Sequence, residues 1–162
     1  MTFNIVLIVL IVLLVIYALK RAGVFSKGAA ENETVGDAYL AENALREEVT
    51  QTDSGLQYEV LTEGEGEGDT RPAATDTVLV HYHGTLINGS VFDSSVKRGE
   101  PISFPLNRVI AGWTEGVQLM TKGAKYKFYI PARLAYGNRQ VGTIPGGSLL
   151  IFEVELLDIN PA

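Results

Sequence analysis

The sequence predicts an α+β domain in which an antiparallel β-sheet curls around one short helix. Strand-like stretches carry the first observation: Gly55 to Leu61, Thr77 to Leu86 and Lys125 to Ile130 alternate apolar and polar residues, and Leu149 to Ile159 supplies a last strand. The second is Asn88-Gly89, a type I′ hairpin signal that returns the chain through Val91-Phe92-Asp93. The third is Ile110, Trp113, Val117 and Met120, spaced i, i+3, i+7, i+10, which is one face of a short helix. Strands of this kind around one buried helix make an α+β fold. A transmembrane helix and a short amphipathic helix are expected to precede it.

The chain has 162 residues, enough for one ordinary domain and an extension. Of its 13 Lys+Arg, three (Lys20, Arg21 and Lys27) precede Glu31; the remaining 10 face 19 Asp+Glu, a formal −9. That balance argues against nucleic acid or anionic lipid as a partner of the soluble part. There is no cysteine, which excludes disulfides, thiol catalysis and thiolate metal sites.

From the N-terminus, residues 1–20 read as a transmembrane helix. Ile5 to Leu19 holds no polar side chain except Tyr17. Extended back to Thr2 the run is about 18 residues, roughly 27 Å as a helix, near the lower limit for a ~30 Å hydrocarbon core. The competing readings are a cleaved signal peptide and a buried core helix. Met1 to Asn4 carries no Lys or Arg, cations follow the run directly, and the small-residue pattern Gly28-Ala29-Ala30 lies well beyond them. An uncleaved anchor is the better reading. Lys20, Arg21 and Lys27 lie C-terminal to the span, so the positive-inside rule places the globular domain in the cytoplasm.

Residues 21–35, small, polar and Gly-containing, read as a flexible linker. Residues 36–51 read as an amphipathic helix with Ala38, Ala41, Leu45 and Val49 on its apolar face. Thr34 and Asp37 have the spacing of a capping box, and Glu42 and Arg46 that of an i,i+4 pair. The stripe is thin and Ala-rich, which suits a helix lying on its own domain better than a dimer helix. Residues 52–162 form the remaining domain.

Within it, Leu56, Tyr58 and Val60 are expected inward against Gln57 and Glu59. Gly64 to Asp69 alternates Gly and acid, reading as a solvated loop since the spacing fits no EF-hand. On the second strand Val78, Val80 and Tyr82 face one way, and Leu79, His81 and His83 the other. The two His are expected to be a surface pair; a metal would need further ligands. On the third, Tyr126, Phe128 and Ile130 point inward. Between Pro131 and Ser148 runs a loop of about 17 residues, longer than compact domains carry without function.

Val91 to Ser95, Phe104-Pro105-Leu106 and Val109 to Trp113 set one carboxylate, Asp93, among a Trp, two Phe and β-branched residues. A lone acid there is costly to bury without a partner, which suggests a site. From spacing alone core is the better reading of Trp113 and the Phe residues, since aromatics usually pack, and Asp93 alone is consistent with a turn acid.

From Ser54 to Ile159 the chain resembles the FKBP family of peptidyl-prolyl cis-trans isomerases. The resemblance rests on Val80-His81-Tyr82-His83-Gly84, Val91 to Ser95, Gly112-Trp113, Leu134-Ala135-Tyr136-Gly137 and Leu150 to Leu157, in family order. Ser54 to Tyr58 and Phe104 to Asn107 look like the bacterial branch that includes the macrophage infectivity potentiators. The resemblance implies a pocket for the proline ring floored by Trp113. Its walls would be Tyr82, Phe92, Phe104, Val109, Ile110 and Phe152, with Ile144 also binding substrate. Tyr136 and the Ile110 N–H would bind substrate carbonyls, and Asp93 would be held by Tyr82 and Arg98. Asp93, Tyr82 and Tyr136 are the expected catalytic residues. Ile102 and Thr143 depart from common family residues. The implied chemistry needs no cofactor and no metal. The implied partners are proline-containing polypeptides and a macrolide inhibitor. With the anchor, this describes a single-pass protein of a bacterial inner membrane, its domain cytoplasmic by charge bias or, alternatively, periplasmic. A non-catalytic chaperone or binding module for proline-containing or unfolded chains is the alternative function.

Overall fold

Strand β3 (Thr77–Thr85) organises the sheet, because three other strands pair with it. The structure, a computed structural model, describes residues 27–65 and 70–162. Strands β1 (Thr50–Gln51), β2 (Gln57–Thr62), β6 (Lys125–Ile130), β7 (Leu150–Ile159), β3 and β4 (Val91–Ser94) lie in that order, all antiparallel. Strand β5 (Ile102–Pro105) shares with β4 the edge of β3 that faces away from β7. β4 covers His83 to Thr85 and β5 covers Thr77 to Val80. Between them the chain leaves the edge as a one-turn helix, α2 (Ser95–Arg98).

One face of this sheet holds the core. Val78, Val80 and Tyr82 of β3, Tyr126, Phe128 and Ile130 of β6, and Leu150, Phe152, Val154 and Leu156 of β7 are buried there. The expected facing of β3 and β6 therefore holds. Helix α3 (Ala111–Val117) lies across this face, with Trp113, Val117 and the following Met120 buried. Its approach is close because of two glycines. A Cβ at Gly112 would stand 2.5 Å from Ile130, and one at Gly116 2.6 Å from the Phe128 ring.

The N-terminal helix departs from expectation. Helix α1 runs Lys27–Asn43, through much of the expected linker, and ends well before residue 51. Ala38 and Ala41 are exposed and Leu45, past the helix end, is 84% exposed. The buried positions are Ala29, Gly36, Leu40 and Asn43, with Asn32 half-buried, a 3.6-residue stripe in which Leu40 alone is a large apolar side chain. These dock by backbone proximity and hydrogen bonds. A Cβ at Gly147 would fall 2.0 Å from the Ala29 carbonyl oxygen, and Asn32 Nδ2 donates to the Gly146 carbonyl (2.9 Å). Leu40 joins Tyr129, Leu149 and Ile151 in a second cluster on the opposite sheet face. Thr34 lies inside the helix and donates to the Ala30 carbonyl, so it caps nothing.

The same docking explains β2. The expected facing holds, with Leu56 in the core, Tyr58 packed against it and Gln57 on the other side, but Val60 is 39% exposed and the Gln57 side is covered by α1, so Gln57 is buried. The Gln57 amide donates to the Leu40 carbonyl and its oxygen accepts from Asn43 Nδ2, both at 2.9 Å, so its burial is compensated. Arg46 pairs with Glu48 and Glu59 rather than Glu42, and donates to Tyr129 Oη (3.1 Å). The Glu48 contact leads in holding the guanidinium more basic than usual.

The expected hairpin forms, but not through a type I′ turn. Gly89 is left-handed (φ 84°) while Asn88 is not, and Leu86 exchanges hydrogen bonds with Gly89 and Ser90. That is a longer turn closed by a glycine at its αL position. The expected span at 1–20 and residues 66–69 of the Gly-acid run lie outside the described residues. Among the described residues no helix is long and apolar enough to cross a membrane.

Candidate active site

An aromatic well of about 870 Å³ opens at the end of the sheet above α3. Every residue expected at the site lines it: Tyr82, Phe92, Asp93, Arg98, Phe104, Val109, Ile110, Trp113, Tyr136, Ile144 and Phe152. Trp113, 4% exposed, lies at the centre. The rings of Tyr82, Phe104 and Phe152 meet it edge-to-face at 5.4, 5.7 and 5.3 Å between centroids. Phe92 meets Phe152 the same way at 5.2 Å. Edge-to-face contacts are the favourable arrangement for such rings and hold the walls in fixed orientations. The Trp113 Nε1–H is buried without a partner among the described residues, a cost that core packing alone would avoid.

Two backbone features aim the walls. Gly84 lies opposite Phe152, and a Cβ there would sit 2.6 Å from the Phe92 ring and 2.8 Å from Phe152. Its missing side chain is the space the two rings share. The β3–β4 register also slips: Gly84 pairs with Asp93 but Thr85 with Val91, leaving Phe92 as the extra residue. Strand alternation would turn Phe92 and Asp93 to opposite faces. The bulge lets both face the well.

Asp93 is partnered. Tyr82 Oη donates to its Oδ2 (2.5 Å) and Arg98 Nη1 donates to its Oδ1. Arg98 Nη2 also donates to Tyr82 Oη (3.0 Å), and its guanidinium lies over that ring. The one-turn helix α2 makes this triangle. Ser94 caps it by accepting the Lys97 N–H, and Gly99, left-handed at φ 74°, ends it, which brings Arg98 back to Asp93. Burial alone would raise the Asp93 pKa, but the hydrogen bonds from Tyr82 and Arg98 outweigh it and hold the carboxyl below its usual range. Burial, then the bond to Asp93, pushes the Tyr82 phenol up.

Buried Ser95 fixes the strand behind. Its Oγ accepts the Tyr82 N–H (2.7 Å) and lies 2.9 Å from His81 Nδ1, while His83 Nδ1 lies 2.9 Å from Ser94 Oγ. The His rings thus serve the serines that bracket the Asp93 turn. Sequence reasoning missed these serines, and also Arg108, Ala135, Arg139, Val141 and Gly142, which line the well beside Ile102 and Thr143. Serine after a hairpin strand is a capping signal that could have found the first pair.

Two further donors stand open at the edge of the well. Ile110 is the N-cap of α3; its carbonyl accepts from Trp113 and Thr114, while its N–H donates to no described residue. The Tyr136 hydroxyl, on the loop after β6, likewise has no partner among the described residues. An apolar well with two free donors at its edge suits a small apolar ring carried on a chain of carbonyls.

The chain matches known proteins over most of its length. The family described as FKBP-type peptidyl-prolyl cis-trans isomerase matches residues 68–157, and the domain amino terminal to it matches residues 17–60. The isomerase FkpA of Aeromonas hydrophila is 57% identical over 83% of this chain and 49% of its own length. The FKBP-type 22 kDa isomerase of Escherichia coli is 56% identical over 76% of this chain and 59% of its own length. The crystal structure of FkpA from Escherichia coli matches with a TM-score of 0.78 at 49% identity, over 84% of this chain and 62% of that one. The chain thus spans about half the length of the curated relatives it matches.

Proposed function

This chain belongs to the FKBP-type peptidyl-prolyl cis-trans isomerase family, and we propose that it catalyses cis/trans isomerisation of X–Pro bonds in polypeptides. The observation that carries the reading is the set of three aromatic rings that meet Trp113 edge-to-face, with open donors at the well's edge. X–Pro rotation is slow because amide resonance must be broken. Twisting the C–N bond removes the charge separation of the planar amide, so the transition state is less polar than the ground state. A dry aromatic well therefore stabilises the twisted form differentially, which is what acceleration requires.

In this mechanism the proline ring sits over Trp113 between Phe104 and Phe152. The Ile110 N–H and the Tyr136 hydroxyl each take a carbonyl of the client, one holding its chain while the prolyl bond turns. Asp93, tied to Tyr82 and Arg98, keeps the wall in place and presents negative potential at the well's edge. No proton transfer, metal or cofactor enters. The same well is the proposed seat of a macrolide inhibitor.

The full chain in non-ionic detergent is expected to accelerate isomerisation of an X–Pro peptide. A folded protein that gives no acceleration would refute the activity. Exposed Ile102 and Val141 at the mouth favour one further reading, a holdase for apolar chains. It requires aggregation suppression to survive well substitutions that abolish isomerisation.

The run Ile5 to Leu19 supports a membrane anchor at residues 1–20, and the cations after it a cytoplasmic domain. A C-terminal fluorescent protein is then expected to fluoresce in bacterial cells and a C-terminal alkaline phosphatase to stay inactive. Phosphatase activity would put the clients on the export side.

A further inference from the structure

We infer that Arg108 and Arg139 make the mouth of the well select proline segments that carry an acidic residue close to the proline. The inference rests on the isomerase reading and names its preferred clients. The whole chain is acidic, formally −6, yet the charged residues lining the well are Asp93 against Arg98, Arg108 and Arg139. Asp93 and Arg98 satisfy each other. Arg108 and Arg139 are exposed, and their side chains make no hydrogen bond or ion pair with any described residue. The mouth therefore carries two uncompensated positive charges on a negative molecule.

Their placement follows the client's path. Arg108 ends the 3-10 turn Leu106–Arg108, two residues before the open N–H of Ile110. Arg139 follows Tyr136 on the other loop, its backbone N–H donating to the Tyr136 carbonyl (3.2 Å). Each arginine thus stands beside one of the groups proposed to hold a client carbonyl. Charges above low-dielectric walls focus their field into a cleft. With a Debye length of about 8 Å at physiological salt and about 3.3–3.6 Å per extended residue, the field reaches roughly two residues either side of the proline.

The test uses the full chain in non-ionic detergent and three X–Pro peptides that differ only in Glu, Gln or Lys two residues from the proline. The expected order of kcat/KM is Glu, then Gln, then Lys, with a Glu-to-Lys ratio of about two- to fivefold, the size exposed ion pairs produce. The ratio should reside mainly in KM and shrink toward one at about 1 M salt, where the Debye length is about 3 Å. The double variant Arg108→Gln/Arg139→Gln should bring the ratio to one, and Arg108→Glu/Arg139→Glu should invert it. Because the ratio is internal to each protein, a general loss of structure cannot imitate an inversion. A ratio near one in the parent, with the Gln peptide still isomerised, overturns this inference and leaves the isomerase reading standing. A ratio that persists in the Gln double variant also overturns it. A folded protein that accelerates none of the peptides overturns both.

Discussion

Trp113→Ala is expected to destabilise the domain by about 3–5 kcal/mol, as truncating a buried Trp does, and to remove most of the isomerase activity. The two losses have separate causes. Helix α3 is only Ala111–Val117, too short to hold itself in water, so its position depends on what it buries. Trp113 touches three rings of the sheet, and cutting it to a methyl removes an edge-to-face contact from each of Tyr82, Phe104 and Phe152. The stability loss comes from that cavity. The activity loss comes from water, which can enter a floorless well and solvate the planar amide as well as the twisted one.

Trp113→Leu separates the two. It keeps an apolar side chain over α3 and restores part of the packing, so the variant is expected to fold. Its floor is smaller, without the flat aromatic face, and kcat/KM should still fall by at least about tenfold, a loss of roughly 1.4 kcal/mol of transition-state stabilisation. Denaturant unfolding and a peptide assay on both variants measure the pair. Parent-like activity in folded Trp113→Leu would remove Trp113 from the mechanism and leave it as core.

What could be read from the sequence was what repeats. β3, β6 and β7 each bury one face along their length, so their two-residue pattern shows directly. Trp113, Val117 and Met120 are equally plain on α3. The bounds of helix α1 differ from expectation for a physical reason: its buried stripe is Ala29, Asn32, Gly36, Leu40 and Asn43, which a search for apolar residues passes over, while Ala38, Ala41 and Leu45 imitate one. The burial of Gln57 is not legible because it depends on Asn43 and the Leu40 carbonyl, partners 14 and 17 residues away on α1. At the site, residue identities were legible from the motifs, but their convergence was not. A bulge at Phe92 and the return of α2 to Asp93 are register and turn effects that no periodicity encodes. Arg108 and Arg139 look like any surface arginines until the two loops meet at one mouth.

Asp93→Leu is expected to reduce kcat/KM by about 10- to 100-fold, the penalty for loosening a positioned wall, while barely changing stability. The Asp93 and Arg98 side chains are 44% and 50% exposed, so solvent screens their attraction and the pair adds little to folding. Its effect is on Tyr82, whose hydroxyl loses its acceptor. Arg98, held more basic by its bonds to Tyr82 and Asp93, would keep the phenol but no longer the turn. pH gives an independent measure. The Asp93 pKa is depressed, so what its charge contributes is complete above its ordinary unfolded value of about 3.9 and is lost as pH falls through the lower folded value. The Tyr82 pKa is raised, so its neutral form persists until pH exceeds its ordinary value of about 10. Isomerisation should therefore be flat from about pH 5 to 9, with an acid limb that disappears in Asp93→Asn. A bell centred near neutrality would mean that a proton is transferred after all, and would point to a general acid or base in place of the dry aromatic well.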